Sequence, residues 1–268
     1  MADVGAPNET PFSETAAPVT STVWRRLTGV FFSPGIVFAT LRHKPDFLAP
    51  MLALAILTAG FSLFFSFWVK ADPREIARRG FERQLELQGK RWTDLSNAEQ
   101  RQFEQGIELG AGFQRFAPAL GVVFGVVYTL ALAGLHYIGV LLMRGQAGFK
   151  QVLSVTAYAL YATEGVKYVL NIVVVFLRPP EIEQILRARG SFVISNPAPL
   201  LPESLPAWVL AAVSWLDAFS VWFIALMAIG LAAVAYRKTP KQMVVIPISL
   251  WLLGALGSVV FALVTGTK

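Results

Sequence analysis

Within the apolar run 151–177, in the stretch ATEGVKYVLN, a glutamate and a lysine stand three positions apart. Glu164 lies fourteen residues from Lys150 and fourteen from Arg178, the basic residues that bound the run. On a helix, that spacing puts Glu164 and Lys167 on one face, where they can pair. A lone charge at mid-bilayer costs about 2.5–3.5 kcal/mol on insertion scales, so each is a functional candidate. Asn171 follows one turn after Lys167. Two accounts fit these residues. In the first, the pair faces the bundle interior at a kink, satisfied by itself and by hydroxyls such as Tyr158, Tyr161 or Tyr168. In the second, the helix breaks near 163–166, beside Gly165, at a water-filled cavity where Glu164 binds a proton, an ion or a head group. The presence of only one pair favours the first.

Two further polar residues sit inside apolar runs. His136 precedes Arg144 by about 12 Å of helix, so it is expected to stay neutral and bond another helix. No second histidine lies within the runs to form a metal pair, and no metal site is expected. Asp217 stands about 30 Å before Arg237, at the far boundary of its run. It reads as an interfacial carboxylate near Trp208 and Trp215 rather than a proton site. The candidate intramembrane polar site is therefore Glu164, Lys167, Asn171 and His136. Nothing supports catalysis or a cofactor. The chain lacks cysteine, and it has no Gly-x-Ser-x-Gly, no His-Glu-x-x-His and no Gly-x-x-x-x-Gly-Lys phosphate loop.

These residues must be positioned by membrane helices. The 268-residue chain is 55% apolar and only 15% charged, against roughly 25% charged in soluble domains. A spanning helix needs about 20 apolar residues, and five runs qualify: 47–69, 117–143, 151–177, 208–236 and 242–265. The fold class expected is all-α, a polytopic integral membrane protein with five transmembrane helices. In GVVFG (121–125) small residues offer a close helix approach. No internal repeat argues for an inverted-repeat transporter.

Orientation follows from lysine and arginine in the short connections. Arg25, Arg26, Arg42 and Lys44 precede the first run, RGQAGFK joins the second to the third, and RKTPK joins the fourth to the fifth. All fall on one side of a five-span chain, with the N-terminus cytoplasmic and the C-terminus outside. The net charge of +6 suits anionic lipid head groups rather than nucleic acid, because the basic residues flank apolar runs. The segment 21–46 reads as cytoplasmic interfacial amphipathic helices, begun by Ser33-Pro34 and stopped by Pro45, with Arg25, Arg26, Arg42 and Lys44 reaching phosphates. Docking beneath the spans is the other placement open to it. Residues 1–20 are polar and Pro/Thr-rich, a disordered tail without the apolar core of a signal peptide.

Between the first two runs, residues 70–116 hold nine basic and eight acidic side chains. Asp72, Pro73 and Glu75 read as one helix start, and Ser96 with Glu99 as another. An extramembrane helical hairpin over 72–115 is expected, its alternating charges a solvated surface. A partner-binding face of Phe81, Leu85, Trp92 and Phe103 is the alternative.

Three segments carry a family resemblance. They are FFSPGIVFATLRHKPDFLAPML (31–52), GQAGFKQVLSVTAYALYA (145–162) and LDAFSVWFIALMAIGLAAVAYRKTPKQMVVIPISLWLL (216–253). The last shows an Asp-x-Phe-x-x-Trp opening, an internal glycine and a short basic link into the final run. Together they resemble the Yip domain family of Rab/Ypt-interacting five-span membrane proteins, particularly its bacterial branch. Relatives often place a proline where this chain has ATEG. The resemblance implies a helical membrane protein without enzymatic activity, in a bacterial inner membrane, working beside a membrane-protein partner or as a homo-oligomer. Eukaryotic members act in vesicle transport and organise small GTPases. The function expected is to organise partner proteins or lipids in the membrane. The alternative is a small proton- or ion-coupled transporter using Glu164 and Lys167.

Overall fold

The computed structural model of the chain describes residues 22–265, apart from 88, 115, 189–190 and 203–204. The tail expected over 1–20 lies outside the described residues. Among them the only regular structure is helical. Four long apolar helices form: α3 (Leu48–Trp68), α6 (Ala117–Leu142), α7 (Phe149–Leu177) and a final helix begun by α11 (Pro240–Met243) and continued by α12 (Val245–Thr265). Each is long and apolar enough to cross a bilayer. The chain is an integral membrane protein, and its described residues hold four such helices, or five if a bent pair counts as one.

That bent pair replaces the single run expected over 208–236. α9 (Ala207–Ser214) and α10 (Ala218–Val234) meet at 44° across residues 215–217. No proline or glycine sits at the break. Side chains make it. Asp217 turns its carboxylate back to accept the Ser220 N–H at 3.2 Å, acting as an N-cap. An aspartate that captures a backbone donor this way starts a new helix instead of continuing the old one. Trp215 leaves the helix to cover Gly254 and donates from Nε1 to Ser258 Oγ at 2.8 Å. A side chain at 254 would collide with that indole.

α7 is the hub, packed against α3, α6 and α10. Every residue from Val152 to Leu160 is buried, so this half of the helix is enclosed on all sides. Part of the enclosure comes from α1 (Val23–Phe32) and α2 (Pro34–Leu41), which fold back on each other and dock on α7 and α10. Leu27, Val30, Val37, Phe38 and Leu41 are buried there. One apolar face of this pair is thus packed against helices, while Trp24, Phe32 and Ile36 remain exposed on the other. Gly230 of α10 makes room for it: a Cβ there would run into Val155 and press on Phe38. In GVVFG, Gly121 lies against Thr58 of α3, whereas Gly125 meets nothing.

Between α3 and α6, α4 (Pro73–Leu87) and α5 (Asn97–Gln114) run antiparallel, with Arg74 paired to Glu108 at 3.0 Å. Asp72 accepts the Arg74 N–H, and Ser96 and Glu99 cap each other. Glu75 differs from the expectation: it reaches forward to Arg79 at 3.0 Å instead of closing a cap. The Phe81 and Phe103 rings are 4.0 Å apart, Trp92 leans on Phe103, and Leu85 is buried. The three aromatic rings thus pack on one another. A further short helix, α8 (Ile182–Ala188), is not among the expected elements; its Leu186 rests on Gly80 of α4.

Candidate intramembrane polar site

Lys167 Nζ lies 2.9 Å from Glu164 Oε1. The pairing on one helical face is as the spacing requires. Its surroundings differ from both accounts. α7 runs unbroken from Phe149 to Leu177, so no unwound segment opens at 163–166. Thr163 Oγ1 donates to the Ala159 carbonyl at 3.0 Å, and Gly165 packs against Leu57 of α3. Without a proline, nothing removes a rung from the backbone ladder. The pair is half-buried rather than enclosed: the Glu164 side chain keeps 37% of its exposure and Lys167 22%. The Lys167 ammonium also sits 5.1 Å from the centre of the Phe219 ring of α10.

The tyrosines expected to serve the pair go elsewhere. Tyr161 meets Phe31 edge to face, Tyr168 leans on Phe61, and the Tyr158 hydroxyl is buried next to Asp46 and Arg26. Asn171 is a latch rather than a ligand. Its Nδ2 donates to the Lys167 carbonyl at 2.8 Å, while its Oδ1 accepts the Phe192 N–H at 2.6 Å. The connection after α8 thus dips back into the bundle, where Phe192 stacks on Phe65 and the Ser195 carbonyl accepts the Ala218 N–H.

His136 stands apart from these residues. It is 1% exposed, with Nδ1 2.8 Å from the Leu132 carbonyl of its own helix, which sets the Nδ1–H tautomer. The bond expected to another helix is absent; the ring instead meets Phe223 of α10 edge-on, and Nε2 has no partner. Lys167 and His136 therefore touch successive turns of α10, at Phe219 and Phe223, without touching each other. Asp217 is half-buried at the α9–α10 break, with Oδ1 unpartnered. Among the described residues no three His, Asp or Glu side chains gather as a metal site.

At the basic end a second polar cluster forms. Arg26 lies 3.6 Å from Asp46 and donates to the Lys44 carbonyl. Gln151 donates to the Arg42 carbonyl at 2.6 Å, and the Arg42 guanidinium lies over Tyr236. Arg25 and Lys44 are exposed. Asp46 and Gln151 were not candidates from the sequence. Asp46 had a signal, being the one acid among the basic residues of 22–46.

A family model, the Yip1 domain, matches residues 28–261, which takes in everything from within α1 to near the end of α12. No curated protein and no solved structure matches the chain.

Proposed function

The chain belongs to the Yip1 domain family, and on that premise we propose that it is a non-enzymatic multi-pass protein organising partner proteins or lipids in its membrane. The observation that carries this is the local satisfaction of its polar span. Glu164 is paired within α7 at 2.9 Å, and no break in that helix lets substrate through. The bent α9–α10 pair counts as one span in this reading, giving five. In this reading the membrane is a bacterial inner membrane, and the basic segments at 25–44, 144–150 and 237–241 favour a cytoplasmic N-terminus and an outer C-terminus. The α4–α5 hairpin then stands outside the membrane, where its ion pairs Arg74–Glu108, Arg78–Glu82 and Arg79–Glu75 suit water. Exposed Gln84 and Gln105 are on its surface, available to a membrane-protein partner or a second copy.

One observation favours the transport reading: His136 Nε2 and Asp217 Oδ1 are buried without partners. Proteoliposomes decide between the two. The organising role predicts no proton or cation flux above empty vesicles, together with a discrete adduct from a photo-crosslinker at Gln84 or Gln105 in intact cells. Flux that Glu164→Gln abolishes would establish the transporter instead.

A further inference from the structure

α1 and α2 meet the bundle at a depth that a surface helix does not reach. The Phe31 ring sits 5.7 Å from Tyr161 of α7 and 6.2 Å from Trp222 of α10. Phe149 to Tyr161 rises about 18 Å, and Trp222 to Val234 rises about 18 Å. Half of a hydrocarbon core is about 15 Å, so the turn at Ser33 stands near the midplane. The other end of the hairpin is tied at the basic face, where Arg42 bonds Gln151 and Arg26 bonds the Lys44 carbonyl. Its outer side is apolar, with Phe32 86% and Ile36 72% exposed.

Between the two helices runs a groove of about 230 Å³. Arg25 and Arg26 stand at its base, Gly29, Val37 and Ile36 along its wall, and Ser33 at its tip. We propose that this re-entrant hairpin holds one anionic phospholipid of the leaflet it enters. The phosphate lies at the Arg25 and Arg26 guanidiniums, and one acyl chain runs along Gly29, Val37 and Ile36 toward the midplane. Charge complementarity selects this occupant. Arg25 and Arg26 line the base, Arg26 already holding Asp46 and the Lys44 carbonyl; Asp46 is the one acid among the basic residues of 22–46, and guanidinium forks match phosphate oxygens. The groove passes from cationic to apolar in the direction a lipid does. A soluble anion matches only the base, and an apolar peptide only the wall. The proposal rests on the membrane reading above and is independent of any partner.

The test is native mass spectrometry of the full chain in detergent, titrated with phosphatidylglycerol or with phosphatidylcholine of the same chains. One phosphatidylglycerol should be retained about tenfold more tightly than phosphatidylcholine, and Arg25→Ala should weaken it about fivefold, as expected for one basic side chain at an anionic lipid. Ile36→Glu, which sets a carboxylate on the chain track, should remove the preference, and glycerophosphoglycerol without chains should not compete. Equal retention of both lipids, an unchanged preference in Arg25→Ala, or competition by the head group alone overturns the proposal. Depth is read separately. The described chain has no free cysteine, so a nitroxide at Phe32→Cys in liposomes should show oxygen accessibility typical of the midplane; a value typical of the head-group region overturns the re-entrant hairpin. Impermeant labelling of cysteines in the connections tests sidedness alone, so a wrong orientation leaves the lipid result standing.

Discussion

Lys167→Met tests how α7 tolerates charge. The substitution keeps the length of the side chain and orphans Glu164. Exposed ion pairs contribute about 0–1 kcal/mol, whereas breaking a fully buried pair costs about 3–5 kcal/mol. With 37% and 22% exposure this pair lies between those limits, at about 1–2 kcal/mol. Loss of the ammonium over Phe219 adds about 0.5 kcal/mol. A total near 2 kcal/mol corresponds to a fall of about 6 °C in apparent Tm for a chain of this size. Scanning fluorimetry on the native tryptophans in detergent reads it. Adding Glu164→Gln removes the orphaned carboxylate and should recover most of the loss, a coupling of about 1 kcal/mol in the double-mutant cycle. A single variant that melts with the native chain, or a double variant that melts no higher than the single, refutes the claim that the pair is mutual compensation.

Other perturbations read other contacts. Asn171→Ala leaves the Phe192 N–H without its acceptor and should cost about 1–3 kcal/mol; hydrogen exchange should rise at 191–196 first. Gly230→Ala drives a methyl into Val155 and Phe38 and should cost about 1–3 kcal/mol as overpacking, visible as a lower Tm with α1–α2 loosened in limited proteolysis. The Ser96 hydroxyl and backbone N–H hold the Glu99 carboxyl below its usual range. A depressed value means that the α5 start gains stability above the ordinary glutamate pKa, which it loses as pH falls through the lowered one. Exchange in the first turn of α5 should therefore accelerate on acidification, and Ser96→Ala should move that onset to higher pH. Cysteines at Ala98, Glu181 and Lys241, all exposed, should be labelled by an impermeant reagent in intact cells at the first two positions and protected at the third.

How much of this was legible depends on how local each interaction is. The long helices follow from hydropathy alone, and the Glu164–Lys167 contact follows from spacing on one helix, so both could be read directly. The break at 215–217 could not. It has no proline or glycine, and it depends on Trp215 finding Gly254 and Ser258 on a helix far along the chain. The docking of α1–α2 is hidden for a similar reason: hydropathy reports that Phe38 is apolar, not that Gly230 leaves a space for it. Asn171 looked like a member of a charged site because its neighbours in sequence are charged. Its oxygen is taken by Phe192, twenty-one positions away.

The same distinction between local and distant bonding bears on function. In α7, Ser154, Thr156 and Thr163 each donate to the carbonyl four residues back, and Asn171 does so with Nδ2. Hydroxyls satisfied this way need no partner on another helix, and the bonds that do leave α7, from Gln151 and Asn171, go to connecting segments near its two ends. Proton relays need the opposite, a chain of groups handing hydrogen bonds from helix to helix. On α6, Tyr128 lies within electrostatic reach of Glu164, but Thr129 and His136 bond their own backbone, and the α10 face between His136 and Lys167 presents Phe219 and Phe223. Two phenyl rings carry no proton. The polar content of α7 is therefore better matched to holding a helix in place among apolar neighbours than to passing a charge through them.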